Sequence, residues 1–209
     1  MIFGSRPAVV VIDFQKGFTH AGFPGGSDMR GPCRCARAVI DAAREKEIKI
    51  FYVRMGYRRD GVDLLEFGKK CTGLKQLYPD TWEFDIDEDL EVTENDILIH
   101  KHWCTAFFDT PLVQMLHGLQ IDTVIFCGCS VGGCLYASAM ESSCYGFHTV
   151  IVKEAVADRS EEIYETFLDD LGQKYADIET MESVIEKIGK LNQIPYHMLD
   201  EMRNERNEK

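Results

Sequence analysis

Residues 123–140 of the chain read TVIFCGCSVGGCLYASAM, an apolar run followed by a glycine-rich turn and a helix-like segment. The run at 123–127 is typical of a strand buried on both faces, and a helix is predicted from Gly133 to Tyr145. The turn therefore joins a strand to a helix and places Cys134 near the first turn of that helix. A cysteine in this position is unusual for a simple core, and its surroundings indicate a chemical role.

Strand-like and helix-like segments alternate along the rest of the chain. Further strands are predicted at 8–12, 48–53, 96–100, 148–152 and 176–179, and further helices at 33–46, 111–117, 161–171 and 181–191. This alternation predicts an α/β fold, a doubly wound three-layer sandwich in which helices cover both faces of a mostly parallel six-stranded sheet. The long irregular region 54–96 is expected to form walls of a site or a subunit contact.

Length and composition predict a single domain. With 209 residues, of which 45% are hydrophobic, the chain can bury one full core, so we expect one domain over 1–209 with a polar tail from about residue 195. No stretch is long and apolar enough to span a membrane. The N-terminus lacks the basic start and apolar run of a secretory signal, which predicts a cytoplasmic location and reduced thiols.

The charge of the chain argues against a nucleic-acid partner. Its formal net charge is -12, whereas phosphate binding needs clustered Lys and Arg. The acidic residues concentrate at 80–96 and in the tail, and neither run is typical of a site. Most of the cysteines lie in apolar or helical surroundings, where they are expected to act as small hydrophobes.

Three of the predicted strands lead to groups that can take part in chemistry. Asp13 follows the first strand, Lys101 the third and Cys134 the fourth. Because ligands bind beyond the carboxyl ends of the strands in open sheets, the three side chains are expected in one crevice. Singly, each has a simpler interpretation: Asp13 as a cap for the next loop, Lys101 as a side chain reaching solvent, and Cys134 as a small core residue. Together they favour a catalytic site.

Cys134 carries the strongest of these three signals. A thiol at the start of a helix lies near the positive end of the macrodipole and near free backbone N–H groups, which would lower its pKa and favour the thiolate. Gly132 and Gly133 before it permit close approach of the backbone to a ligand. The sequence therefore predicts a reactive cysteine at this turn.

An aspartate, a lysine and a cysteine in one crevice can hydrolyse an amide. Asp13 would take the thiol proton while the Cys134 sulfur attacks the amide carbonyl, and the resulting acid would protonate the departing ammonia. Lys101 would balance the charge of this exchange, and water would then release the acyl or carbamoyl group. The developing oxyanion needs donors, which the backbone N–H of Cys134 and a second N–H of the turn would supply.

Several motifs resemble those of the cysteine hydrolases of the isochorismatase-like superfamily. They are VVVIDFQKGF at 9–18, AFFDT at 106–110, GCSVGGC at 128–134 with ASA at 137–139, AVADR at 155–159, YRRDGVD at 57–63 and LGQKYAD at 171–177. The resemblance covers nearly the whole chain and is nearest to the branch of N-carbamoylsarcosine amidase and maleamate amidohydrolase. It implies the isochorismatase-like hydrolase fold and a catalytic triad of Asp13, Lys101 and Cys134.

The resemblance implies further site residues. The second oxyanion donor would be the N–H of Ser130, after a cis peptide bond between Cys129 and Ser130. Arg159 matches an arginine that holds a substrate carboxylate, with a structural ion pair as an equal alternative. Further candidate contacts with the substrate are Phe18, Val131 and Phe107. The chain departs from its relatives at 131–133, where VGG replaces their usual Thr-Ser-Gly, and at Tyr136, where an arginine is common, which leaves the exact substrate open.

The resemblance also implies a homodimer or a homotetramer. Relatives of this fold form such assemblies, and their pockets take residues from a neighbouring subunit. The aromatic residues Trp103, Phe107 and Phe108 and the region 54–96 are candidate contacts, with a solvated loop as the alternative.

No metal or other cofactor is assigned from the sequence. The nicotinamidase branch of the superfamily binds zinc or iron through an Asp-x-His arrangement and a further histidine, but 54–68 contains no histidine. His102 is interpreted as a wall residue, since a catalytic zinc needs about three protein ligands. The pairs Cys33/Cys35 and Cys127/Cys129 have one intervening residue, fewer than most structural zinc sites have.

The sequence thus predicts a metal-independent amidohydrolase for a small carbamoyl or amide compound. Three alternatives stay open: an isochorismatase-type or other hydrolase that uses the same triad, a catalytically silent protein that binds small molecules, and a nucleotide-binding module. The glycine spacing at 128–133 fits neither the dinucleotide fingerprint nor the P-loop, which argues against the last of them.

Overall fold

A computed structural model describes residues 3–192 and contains one six-stranded sheet. Its strands are β1 (Pro7–Ile12), β2 (Ile50–Met55), β3 (Ile97–Lys101), β4 (Thr123–Cys129), β5 (His148–Ala157) and β6 (Asp177–Glu179). Their order across the sheet is β3-β2-β1-β4-β5-β6, and every neighbouring pair is parallel. The predicted parallel sheet is confirmed. Since the strand order reverses between β1 and β4, a ligand crevice is expected beyond their carboxyl ends.

Seven α-helices accompany these strands among residues 3–192. They are α1 (Lys16–Thr19), α2 (Arg30–Glu45), α3 (Leu65–Lys70), α4 (Leu112–Gly118), α5 (Tyr136–Cys144), α6 (Glu161–Lys174) and α7 (Met181–Gly189). Five of them match predicted helices, whereas α1 and α3 were not predicted because they are too short to show a helical period. A single π-helical turn, Val131–Leu135, precedes α5 and starts two residues before the predicted helix.

Side chains alternate between the two faces of the sheet and form a core on each side. On β1, Val10 and Ile12 join one cluster, and Val9 and Val11 join the other. The first cluster is completed by α4, α5 and α6, through Leu112, Leu116, Ala139, Leu168 and Leu171. The second is completed by α2 and α7, through Ala36, Val39, Ile40, Val184 and Ile188. The three layers predicted from the sequence are therefore present.

The region 54–96 contains α3 and three short 3-10 turns, and it is held to the sheet through Gln15. The buried Gln15 amide donates to the carbonyls of Met55 and Phe84, each at 2.9 Å, and accepts from the Met55 N–H at 2.7 Å. Met55, Phe84, Tyr57 and Leu77 form a small third cluster of buried side chains. Because its backbone is bonded in this way, the region can serve as a fixed wall beside the end of β1.

The predicted polar tail from about residue 195 lies outside the described residues. Within the described part of the chain, every helix is too short or too polar to cross a membrane.

Candidate active site

Asp13, Lys101 and Cys134 meet at the carboxyl ends of three strands. Asp13 directly follows β1, Lys101 is the last residue of β3, and Cys134 lies in the π-helical turn after β4. The Nζ atom of Lys101 is 2.9 Å from Oδ2 of Asp13 and 3.3 Å from Sγ of Cys134. The structure thus brings together the three residues that the sequence singled out.

Lys101 is buried beneath the site and held in place by four contacts. Besides Asp13 and Cys134, its ammonium donates to the carbonyl oxygens of Trp103 at 3.1 Å and Cys104 at 3.3 Å. Burial lowers the pKa of this lysine, but the Asp13 carboxylate and Cys134 raise it by more, so the net pKa lies above its usual range. The side chain therefore stays an ammonium and supplies a fixed positive charge between the acid and the thiol.

Asp13 presents one carboxylate oxygen to Lys101 and keeps the other unpaired. Its side chain is 3% exposed, and Oδ1 has no hydrogen-bond partner among residues 3–192. The backbone of Asp13 is held at φ 53° by a bond from its N–H to Val53 O at 2.8 Å, and its carbonyl accepts from the Cys129 thiol at 3.2 Å. An unpaired buried carboxylate oxygen is costly unless it serves a purpose, and here it is available to accept a proton.

Gly128 allows β4 to approach β1 just before the turn. It has φ 123°, and a Cβ atom at this position would lie 2.0 Å from the carbonyl oxygen of Ile12. The peptide bond between Cys129 and Ser130, which follows closely, is cis, and this confirms the prediction made from the resemblance. Only glycine fits both the positive φ and the close contact at position 128.

Gly132 lets the turn pack closely against α6. A Cβ atom there would lie 2.8 Å from Cγ2 of Ile163 and 2.9 Å from Cδ2 of Phe167. This glycine was predicted to allow close approach of a ligand, and its contact with α6, which is distant in sequence, is a second reason for a glycine here. At Gly133, in contrast, an added Cβ atom would meet only Ser130, at an ordinary contact distance of 3.6 Å.

The thiol of Cys134 holds its proton more firmly than predicted. A hydrogen bond with the Cys104 thiol, burial and the Asp13 carboxylate raise the pKa of Cys134 well above its usual range, against the opposing effect of Lys101. The expectation of a lowered pKa is therefore wrong. The helix end and the adjacent carboxylate were both expected from the sequence, whereas the second thiol was not. A protonated resting thiol needs a base at the moment of attack.

Asp13 and Cys134 line a cavity of about 660 Å³. Lys101 does not line it, in keeping with its complete burial. Of the other predicted site residues, Phe18, Ser130 and Arg159 line the cavity. The region 54–96 forms part of its wall, as predicted, through Met55, Phe67, Lys70, Cys71, Gly73 and Leu74.

Two of the predicted substrate contacts, Val131 and Phe107, lie away from the cavity, so these two predictions are wrong. Val131 is fully buried, and Phe107 is 2% exposed. Both belong to the core on the α4, α5 and α6 side of the sheet, where the Phe107 ring stacks on Phe147 at a centroid distance of 6.3 Å. Neither lines the cavity, because the apolar core takes their side chains.

The position of Arg159 is compatible with both roles that the sequence left open. Its Nη1 atom lies 3.3 Å from Oδ1 of Asp158, whose side chain is fully buried, while the side chain of Arg159 is 59% exposed. Arg159 also lines the cavity. The ion pair is therefore present, and the exposed guanidinium has further N–H donors with which it can bind an anion.

Sequence reasoning missed Lys70 and Cys104, which both line the cavity. Lys70 ends α3 and is exposed, so it adds a second cation to the rim. Cys104 lies in the loop after β3, close behind Lys101. Its position in a loop at the end of a strand with a site residue was the only available signal.

The described residues contain no group of three His, Cys, Asp or Glu side chains placed to hold a metal ion. His102 lies 3.2 Å from Oδ2 of Asp63 and packs beside His100. It does not line the cavity, so its interpretation as a wall residue is not confirmed. A second cavity of about 580 Å³ lies at the amino ends of β2 and β3. None of the residues that line it is a cysteine or a histidine.

The chain has relatives among known proteins. A family model described as the isochorismatase domain matches residues 7–183. Maleamate amidohydrolase from Pseudomonas putida is 28% identical over 188 residues, which cover 89% of this chain and 88% of that protein. N-carbamoylsarcosine amidase from Arthrobacter sp. is 28% identical over 196 residues, which cover 91% of this chain and 74% of that protein. A cysteine hydrolase from Pseudomonas syringae shares the fold, with a TM-score of 0.84 at 20% identity over 90% of this chain and 94% of that chain.

Proposed function

The chain belongs to the isochorismatase family, and we propose that it is a cysteine-dependent amidohydrolase. It cleaves the C–N bond of a small carbamoyl or amide compound and releases ammonia through a thioester. One observation carries the proposal. The Lys101 ammonium lies 2.9 Å from the Asp13 carboxylate and 3.3 Å from the Cys134 sulfur, so a base, a cation and a nucleophile share one site.

In the first step the Cys134 thiol passes its proton to Asp13 as the sulfur attacks the carbonyl carbon. The unpaired Oδ1 atom of Asp13 supports this role, since Oδ2 is already bonded to Lys101. The C–N bond then breaks, and the proton on the aspartic acid moves to the nitrogen, which leaves as ammonia. The raised pKa of Cys134 fits this order, because the proton leaves the sulfur only when attack begins.

The oxyanion that forms during attack is stabilised by the backbone N–H groups of Ser130 and Cys134. Both residues line the cavity beside the thiol, which supports the assignment. In the second step a water molecule attacks the thioester, Asp13 takes one of its protons, and the acid or carbamate leaves as the Cys134 thiol is restored.

The substrate carries a carboxylate. Arg159 and Lys70 give the cavity two cations at its rim, and Phe18, Phe67 and Leu74 give it apolar walls. A small anion with a short carbon skeleton suits this lining, since a guanidinium binds a carboxylate through paired N–H groups. Maleamate and N-carbamoylsarcosine, which the names of two relatives mention, are compounds of this kind.

Assembly into a homodimer or a homotetramer and a cytoplasmic location stay predictions. Phe108 is 54% exposed and meets Trp103 edge to face at 5.3 Å, so these two rings form the candidate contact, while the buried Phe107 does not take part. Light scattering on the wild type and on Phe108→Ser would test it, and a monomeric wild type would contradict it.

Ammonia release from a panel of amides tests the proposed function. The panel contains N-carbamoylsarcosine, maleamate, biuret, ureidoacrylate and nicotinamide. We expect turnover of a member with a carboxylate and its loss in Asp13→Asn, Lys101→Ala and Cys134→Ser. Cys144→Ser is the matched control, because this thiol is exposed and lies at the far end of α5. Full activity in the three triad variants would contradict the proposal. Hydrolysis of isochorismate, assayed separately, by a protein that releases ammonia from no member of the panel would also contradict it.

A further inference from the structure

Cys104 is a second thiol inside the candidate active site. It lies in the loop after β3 and lines the same cavity as Cys134. Its carbonyl oxygen and the Cys134 sulfur are each 3.3 Å from the Nζ atom of Lys101. The two thiols also interact, since each shifts the pKa of the other. The proposed hydrolysis uses only the Cys134 thiol and leaves Cys104 without a role.

The surroundings favour ionisation of the Cys104 thiol. A hydrogen bond with Cys134 and the Lys101 ammonium lower the pKa of the Cys104 thiol, while burial and Asp13 act in the opposite direction. Of the two thiols, Cys104 is therefore the one that ionises more readily. Cys127 and Cys33, by contrast, are buried in the core, where burial raises the pKa of each thiol. Cysteines become reactive when they combine access with a nearby cation.

We propose that Cys104 and Cys134 form a reversible disulfide when a peroxide enters the cavity, and that this bond stops the hydrolysis. The loss of activity rests on the proposed function, since it assumes that Cys134 is the nucleophile. Formation of the disulfide does not rest on it, because it needs only two neighbouring thiols and an oxidant.

The oxidation balances with one peroxide. A thiolate of the pair attacks a peroxide oxygen, the O–O bond breaks, and a sulfenic acid and one water form once a proton is taken up. The second thiol then attacks the sulfenic sulfur, the S–O bond breaks, and a second water leaves as the S–S bond forms. Two electrons pass from the two thiols to the peroxide. A dithiol reductant reverses the reaction by thiol–disulfide exchange.

Such a bond would protect the nucleophile. A sulfenic acid without a neighbouring thiol is oxidised further to sulfinic acid, which ordinary reductants do not restore. With Cys104 beside it, Cys134 would instead be stored as a disulfide. Cys71 also lines the cavity, but it belongs to the wall formed by 54–96 and has no contact with Lys101 among those described, so it is the matched control.

The test combines mass spectrometry with activity. The reduced protein is treated with hydrogen peroxide, free thiols are alkylated, and the peptides are mapped. We expect one disulfide, between Cys104 and Cys134, a mass lower by about 2 Da for the two hydrogens removed, and a loss of activity that dithiothreitol reverses. A disulfide in a protein that turns over no substrate supports this inference and contradicts the proposed function. An active protein that forms no disulfide contradicts this inference and supports the proposed function.

Variants assign the partner thiol. In Cys104→Ser we expect peroxide to convert Cys134 to sulfinic acid, so that dithiothreitol no longer restores the rate measured before treatment. Cys71→Ser should form the same disulfide as the wild type and recover fully. A bond between Cys134 and Cys71, or full recovery of Cys104→Ser, would overturn the inference.

Discussion

Asp158 and Gly132 are joined by a hydrogen bond of 2.7 Å, in which the N–H of the glycine donates to Oδ2 of the aspartate. Oδ1 of the same carboxylate accepts from the N–H of Arg159 at 2.7 Å. One buried side chain at the end of β5 thus ties the turn that carries Cys134 to the arginine on the rim of the cavity. Asp158 does not line the cavity, but through these two bonds it fixes the position of Arg159 relative to Cys134.

Replacing Asp158 should disturb the site more than the fold. Asp158→Ala leaves the N–H groups of Gly132 and Arg159 without their acceptor, and loss of such a bond costs about 1–3 kcal/mol. We expect a fall of about tenfold or more in kcat/KM, since misplacement of reacting groups is costly. Asp158→Asn keeps one acceptor oxygen, so its kcat/KM should lie between those of the wild type and the alanine variant. Steady-state kinetics and urea denaturation measure the two effects, and an unchanged kcat/KM in Asp158→Ala would refute this link.

The ion pair of Lys101 and Asp13 should show a strong coupling in stability. Lys101→Met leaves the Asp13 carboxylate buried without its cation, which costs about 3–5 kcal/mol. Adding Asp13→Asn removes the buried charge, so the double variant should be more stable than Lys101→Met alone, although it stays inactive. Urea denaturation of the single and double variants measures this. A double variant less stable than Lys101→Met would contradict the pairing.

The site residues at the strand ends could be predicted from the sequence. Asp13 and Lys101 each follow an apolar strand segment, where a charged side chain is unusual and indicates a role. Val131 and Phe107 were not, since an apolar residue next to a site can face either the cavity or the core. Cys104 and Lys70 lie in irregular segments, where no period indicates which way a side chain points. The pKa of Cys134 depends on Cys104 as well as on Asp13, and only the folded chain shows that Cys104 interacts with it.

Cys104 and Cys134 should differ in the pH at which an alkylating reagent labels them. Because the pKa of Cys134 is raised and that of Cys104 is lowered, iodoacetamide should label Cys104 at a lower pH than Cys134. Asp13→Asn removes the negative charge that contributes to the raised pKa of Cys134, so its labelling should begin at a lower pH than in the wild type. Peptide mapping at a series of pH values, with N-acetylcysteine as a reference, measures both. Labelling of Cys134 at a lower pH than the reference would contradict the raised pKa.

Arg159 and Lys70 should discriminate between anionic and neutral amides. We expect Arg159→Met to lower kcat/KM for an anionic substrate by about tenfold or more, as for loss of a charge-assisted pair. For nicotinamide, a neutral amide, the change should be small. Lys70→Met should have a weaker effect that falls with added salt, since this lysine is exposed. Lys69→Met is the matched control, because its ammonium bonds Glu66 at 2.6 Å. Equal losses on both substrate types would argue against carboxylate binding.

Gly128→Ala should prevent or severely weaken folding. Its Cβ atom would lie 2.0 Å from Ile12 O and 2.5 Å from Ile12 N, both backbone atoms of the neighbouring strand, and the φ of 123° disfavours any side chain. We expect the free energy of unfolding to fall by more than about 4 kcal/mol, in the range of the most damaging single substitutions.

Gly31→Ala in α2 is the control, since a Cβ atom added at this position would have no neighbour within 4 Å. It should change the free energy of unfolding by no more than about 0.5 kcal/mol, as most substitutions at exposed positions do. Urea denaturation compares the two, and a stable Gly128→Ala would show that β1 and β4 can separate at the site without loss of the fold.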